Sequence, residues 1–318
     1  MTSAHEIIEK LADLVSEHYV FPDVGTTVAA RLRDNLKTGR YDDLGDPEAF
    51  GALVTADLQI GNNDKHLRLK FHIDEVVDET DEGAEYAHYL ERSRLDAGGM
   101  ARVERLPGNI GVLAIRPLLY SPEMAGDALA AAMKLLSATN GLLLDLRGCL
   151  GGDPHMVALV CSYLLDAEPV HLNDQHTPAT GTINQYWTVP HLAGPRYGAQ
   201  RPLWVLTSGS TFSGGEELSY NLQQLKRATL IGERTRGGAH PREGFKLHPH
   251  LEATIPVQRS VNPISGTNWE GTGVHPEYAV PAEEAFGLAY RQALDHVLAD
   301  PATSRALRDE AAAVGATG

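Results

Sequence analysis

Ser213 is the residue of this chain best placed by its neighbours to do chemistry. It stands in Thr211-Phe212-Ser213-Gly214-Gly215-Glu216, after an apolar run at 203–206 and before Leu218, Leu222 and Leu225, which share one helical face. A serine at such a strand-to-helix turn has an exposed hydroxyl, and backbone N–H groups point at whatever it attacks. The same residues have a purely structural reading. Ser213-Gly214-Gly215-Glu216 is a capping box, in which serine and glutamate each satisfy the other's backbone donor. Two further glycine turns follow apolar runs, Arg147-Gly148-Cys149-Leu150-Gly151-Gly152 and Thr235-Arg236-Gly237-Gly238-Ala239-His240. Cys149 lies before a helix, where a thiolate is stabilised, but no motif places a histidine beside it. No His-Glu-x-x-His occurs, and His248 with His250 lacks a recognisable third ligand, so neither a metal nor another cofactor is expected. The glycine turns fit neither nucleotide-binding pattern, and Thr211 breaks Gly-x-Ser-x-Gly, which disfavours an α/β-hydrolase.

These residues need a scaffold, and 318 residues supply a sizeable core. The 42% hydrophobic and 22% charged content is that of an ordinary globular protein. A net charge of -15 with scattered Lys and Arg argues against nucleic acid and anionic membrane surfaces as partners. Cys149 and Cys161 make no disulfide framework, the first ten residues do not resemble a signal peptide, and no apolar stretch reaches membrane-spanning length. A cytoplasmic location is the expectation.

Three apolar stripes (Ile7, Ile8, Leu11, Leu14, Val15; Val28, Leu32, Leu36; Phe50, Leu53, Val54, Leu58) predict a helical bundle over 1–60. A turn at 61–66 then opens into a strand through Leu67, Leu69 and Phe71, with His66 at its mouth. The rest of 61–107 reads as an acidic linker or lid, with 78–100 a surface helix or lid. From 108 to 281 apolar strands at 110–115, 141–146, 203–206 and 228–233 alternate with helices at 124–138, 154–165 and 214–226, the order of an α/β fold with parallel pairing. Residues 168–200 read as a long irregular insertion, and 251–257 with 261–264 as a hairpin pair. Residues 282–318 form a terminal helical region.

Three segments in this order resemble one family. Asp145-Leu146-Arg147-Gly148-Cys149-Leu150-Gly151-Gly152 is similar to its Asp-Leu-Arg-x-Asn-x-Gly-Gly turn, with Cys149 in place of asparagine. Thr211 to Glu216 resembles its nucleophile segment, and Gly232-Glu233-Arg234-Thr235-Arg236-Gly237-Gly238 its Gly-Glu-x-Thr-x-Gly segment. The family is the C-terminal-processing serine peptidases, which include tail-specific proteases, the tricorn core and the modules of interphotoreceptor retinoid-binding protein. The resemblance implies a crotonase-like ββα core. Tail-specific proteases place a lysine after the third segment; Gly238-Ala239 stands there, so a Ser–Lys dyad is not expected. There is also no room for the PDZ domain of many relatives.

The tricorn-like branch uses serine, histidine and glutamate instead. Asp64-Lys65-His66-Leu67 resembles its histidine segment, and Asn268-Trp269-Glu270-Gly271-Thr272-Gly273-Val274-His275-Pro276 its glutamate loop. The resemblance therefore implies Ser213 as nucleophile, His66 as base and Glu270 as the group that orients it, with Gly214 and Gly152 N–H groups cradling the oxyanion. Asp145 and Arg147 are expected to form an ion pair beneath the turn. The expected activity is that of a serine hydrolase acting on a peptide or small acyl substrate through an acyl-enzyme. Alternatives are a hydrophobic-ligand module like the retinoid-binding relatives, its pocket lined from Tyr186, Trp187, Val189, Leu192 and Tyr197, or a hydrolase or acyl-transfer enzyme on a small metabolite. Assembly into homo-oligomers is open.

Overall fold

The structure is a computed structural model that describes residues 3–42, 45–76 and 82–315. In chain order the elements are α1 (Ala4–His18), α2 (Pro22–Lys37), α3 (Pro47–Leu58), β1 (Arg68–Phe71), α4 (Glu82–Leu95), β2 (Met100–Leu106), β3 (Ile110–Ile115), α5 (Pro122–Leu136), β4 (Gly141–Asp145) and α6 (Pro154–Leu164). They continue with β5 (His171–Thr177), β6 (Thr182–Trp187), β7 (Leu203–Thr207), α7 (Gly214–Gln224), β8 (Thr229–Gly232), β9 (Arg242–His248), β10 (Leu251–Pro256), β11 (Arg259–Val261), β12 (Tyr278–Ala279), α8 (Ala282–Ala299) and α9 (Arg305–Gly315). The chain divides into two compact units. The first holds residues 1–88, 174–184 and 238–261, and the second holds the remainder.

In the first unit the three stripes become three helices with defined starts. Ser3 and Glu6 cap α1 reciprocally, Asp46 caps α3, and Pro22 and Pro47 occupy the first helical turn, where a missing N–H costs nothing. Pro22 thus both stops α1 and starts α2. The apolar faces pack on an antiparallel sheet of order β1-β10-β9, burying Ile7, Leu11, Leu32, Val54 and Leu58 against Leu69, Leu251 and Ile255.

The second unit is built on a six-stranded sheet of order β12-β8-β7-β4-β3-β2. All neighbours are parallel except β2, which runs antiparallel to β3 at the edge. Because side chains alternate along a strand, each buried strand feeds two layers. Val112, Leu143, Leu206 and Ile231 meet Ala285, Ala289, Ala293 and Val297 of α8. The opposite face is the side of α5, whose Leu136 lies beside Leu142 at Gly111. Small residues at 285, 289 and 293 let α8 lie close to the sheet.

Two expectations need correction. Residues 168–200 are not irregular: β5 and β6 form part of a three-stranded sheet of order β11-β5-β6. The pairing expected between 251–257 and 261–264 does not form. Residues 251–256 pair instead with β9, which precedes them, and β11 pairs with β5. β5 has Leu172 as its one apolar residue and so leaves no hydrophobic period to read, whereas β10 alternates Leu251, Ala253 and Ile255 and is legible as a strand, but its period does not name its partner. The stretch before 108 carries β2, whose register shift between Met100 and Arg102 disrupts its alternation. Of the acidic linker expected there, 77–81 lie outside the described residues, as do the ends of the first and last expected segments at 1–2 and 316–318.

Because Leu206 is fully buried where β7 meets α8, Leu206→Ala is expected to cost about 2–5 kcal/mol. Urea unfolding of the variant against wild type measures it.

Candidate active site

β7 delivers its chain end to residues 208–213, and α7 begins at Gly214. Ser213 is the N-cap and has φ 50° and ψ -118°, a left-handed conformation that a residue with a side chain rarely adopts. Such strain costs roughly 1–3 kcal/mol and persists only where the surroundings enforce it. The enforcement is visible. Thr211 Oγ1 donates to the Leu146 carbonyl at 2.9 Å, Phe212 N–H donates to the Cys149 carbonyl at 3.0 Å, and Glu217 N–H donates to the Ser213 carbonyl at 2.8 Å.

The capping box is present, and its two arms are unequal. Ser213 N–H donates to Glu216 Oε2 at 2.9 Å, whereas the serine oxygen makes no cap bond of that quality. Glu216 is fully buried, and its other oxygen accepts from Thr235 Oγ1 and from Gly237 N–H at 2.6 Å. Thr235 in turn holds both backbone groups of Val274, its N–H donating to the Val274 carbonyl at 3.1 Å and its Oγ1 accepting from Val274 N–H at 2.7 Å. Gly271 N–H donates to the Gly237 carbonyl at 3.2 Å. One carboxylate therefore joins the Ser213 turn to residues 235–237, and these pin the loop that carries Glu270. The reading of the sequence missed this second role of Glu216. Its signal was the match of Thr235 and Gly237 to a motif with no assigned task.

The turn after β4 lies against the serine. A side chain at Gly151 (φ 129°) would put its Cβ 3.0 Å from Ser213 Cβ, and one at Gly152 (φ 135°) would strike the Leu119 carbonyl at 2.1 Å. A Cβ on Gly214 would stand 3.0 Å from Gly152 N. Among the described residues, neither Gly152 N–H nor Gly214 N–H donates a hydrogen bond. Cys149 is completely buried under the start of α7, its thiol pushed up to about 11 by burial, so it is a packing residue. Asp145 and Arg147 form the expected ion pair, 2.6 Å between Nη2 and Oδ2, and Arg147 also donates to the Ala282 carbonyl at 2.7 Å.

His66 belongs to the first unit, where it is 6% exposed. Its N–H donates to Asp64 Oδ1 at 3.0 Å, and its carbonyl accepts from Thr254 Oγ1. Asp64 Oδ2 accepts from Tyr19 at 3.0 Å and meets His240 Nδ1 at 2.8 Å. Burial pulls the His66 pKa down to about 3, and the Asp64 charge only partly opposes it, so its imidazole is neutral at pH 7. Burial acts to raise the Asp64 pKa, but the His240 hydrogen bond and charge outweigh it and hold the carboxyl below its usual range. His240 was not anticipated. It follows the glycine turn directly, but its partner lies 176 positions away and only the fold pairs them. The structure thus brings Ser213, Gly214 and Gly152 together in the second unit, with Glu270 on a loop tied to them. It sets His66 in a buried polar group of the first.

Residues 109–280 match the family model of peptidase family S41. The chain belongs to that family. Residues 2–95 also match the model for the N-terminal domain of peptidase S41 in eukaryotic IRBP. Solved structures agree at the level of fold. A putative peptidase from Parabacteroides merdae is 20% identical, with 91% of this chain and 97% of that chain covered and a TM-score of 0.60. A lipoprotein from Streptococcus agalactiae is 15% identical over 93% and 97%, with a TM-score of 0.59. The photosystem II D1 C-terminal processing protease is 17% identical over 89% and 94%, with a TM-score of 0.54. This S41 chain is accordingly a serine-type peptidase with a mixed α/β fold. No helix among the described residues is long and apolar enough to cross a membrane.

Glu217, one turn beyond Ser213, is buried, and this pushes its carboxyl up from 4.5 to about 8, against amide hydrogen bonds from Asn173 and Asn221 that lower it. The folded state therefore binds this proton more tightly than the unfolded chain. Its contribution to stability is fullest below about pH 4.5 and is lost as pH rises through about 8. Melting temperatures across this range should fall for wild type and fall less for Glu217→Gln.

Proposed function

We propose that Ser213 is the nucleophile of a peptide hydrolysis that passes through an acyl-enzyme, with His66 as general base and Glu270 as the group orienting it. The observation that carries the reading is the strained serine, held through its N–H by Glu216, beside two glycine N–H groups that donate to nothing else described. In the proposed reaction Ser213 Oγ attacks the scissile carbonyl carbon and its proton passes to the neutral His66 imidazole. The oxyanion accepts from Gly214 and Gly152 N–H, donors that need no rearrangement as charge develops. The C–N bond then breaks, the imidazolium returns the proton to the leaving amine, and water hydrolyses the ester by the same route. Glu270 stabilises the imidazolium between the two transfers.

The crotonase-like description of the core is part of this proposal, supported by the parallel β3-β4-β7-β8 series with a helix after each of the first three. The division into a helical bundle, a lid, a peptidase core and a terminal helical region belongs to it as well, as does a cytoplasmic site of action. One finding favours a second reading, a non-proteolytic module for apolar ligands: the N-terminal residues match a domain model named for IRBP.

Ser213→Ala and His66→Ala are each expected to lower kcat/KM on a mixed peptide library by at least about 10³-fold with the fold intact. With the His66 pKa near 3, kcat/KM should stay level between about pH 5 and 7. An acid limb centred on 6.5, the ordinary histidine value, would contradict the buried neutral base. A lipophilic ligand that co-purifies, with no peptide cleaved by wild type, would establish the second reading instead.

A further inference from the structure

The second unit contains a cavity of about 450 Å³ lined by the ends of three parallel strands and the start of α8. Its charged residues are Arg102, Arg116, Arg147, Asp145 and Glu283. Two of the arginines are already engaged. Arg147 is bound by Asp145 and the Ala282 carbonyl, and Arg102 by Glu104 at 2.6 Å while it lies over the Phe286 ring. Asp145 is consumed by the same pairing. Among the described residues, the side chains of Arg116 and Glu283 make no hydrogen bond or ion pair. The cavity therefore presents one open cation and one open anion, both on exposed residues whose charges stay hydrated until a ligand arrives.

An anion alone would meet Glu283, and a cation alone would meet Arg116. A ligand with a carboxylate and an ammonium satisfies both. Ser208 Oγ also lies on this wall, where it donates to the Arg147 carbonyl at 2.6 Å and accepts from Ser210 N–H at 3.0 Å, which leaves it one lone pair.

We propose that this cavity is a second binding site, for a short zwitterionic peptide, whose terminal carboxylate pairs with Arg116 and whose terminal ammonium pairs with Glu283. The peptide nature of the ligand rests on the peptidase reading, since such peptides are what the reaction releases; the cavity and its two open charges do not rest on it. The site lies behind the catalytic turn. Arg147 and Gly148 wall the cavity, and Gly151 of the same turn lies against Ser213. The Arg116 stem rests on Gly148, 3.3 Å from the point where a Cβ there would stand, and Leu150 N–H donates to the Pro117 carbonyl at 2.8 Å.

The test is calorimetric titration of alanyl-alanine into the full chain carrying Ser213→Ala, so that turnover plays no part and a failure of the catalytic reading leaves the result unaffected. Alanyl-alanine should bind, and its N-acetyl and amide analogues, each lacking one charge, should bind at least about tenfold more weakly. Arg116→Gln should weaken the dipeptide by a similar factor and leave the amide unchanged. Glu283→Gln should weaken the dipeptide and leave the N-acetyl form unchanged. Absence of dipeptide binding would overturn the proposal. So would binding that both variants leave untouched, which would place the ligand elsewhere.

Discussion

The structure around Ser213 depends on one buried carboxylate. Glu216 holds the Ser213 N–H with one oxygen and the Thr235 hydroxyl and Gly237 N–H with the other, with no exposed surface left. Hydrogen bonds to an ionised acceptor are about twice as strong as neutral ones, and burial raises the cost of losing any of them. Two segments, the Ser213 turn and residues 235–237, are fixed relative to one another by this side chain. The strained φ of Ser213 is tolerable because Glu216 binds its amide and the Cys149 carbonyl binds the preceding one.

The two readings of the Ser213 segment are compatible in this geometry. A capping box and a nucleophile compete only if the serine oxygen is spent on the helix. Here Glu216 Oε2 takes the Ser213 N–H, and the serine oxygen enters the box only as an acceptor, so the cap does not use its hydroxyl proton. Cys149 serves the same turn from beneath. A Cβ on Gly215 would stand 3.0 Å from its sulfur, so a small residue above and a compact thiol below let α7 approach the glycine turn.

Much of this was legible in the sequence where one residue type dictates one conformation. The run at 203–206, the helix face of Leu218 and Leu222, and the three apolar stripes of the first helices all have local causes, and they form as read. The hairpin of β5 and β6 was not legible, because His171-Leu172-Asn173-Asp174-Gln175-His176 carries almost no apolar alternation and is held by pairing. The site divides in the same way. The turns that hold Ser213, Gly214 and Gly152 are legible from their glycines and the apolar runs before them. The reach of Glu216 to residues 19 and 21 positions on, and of Asp64 to His240, exists only once the chain has folded.

The most direct test of this account is to treat the protein with a fluorophosphonate and map the adduct by peptide mass spectrometry. The account predicts a single modified residue, Ser213, and no adduct in Ser213→Ala. An adduct on any other serine, or none on the folded wild-type protein, would contradict it.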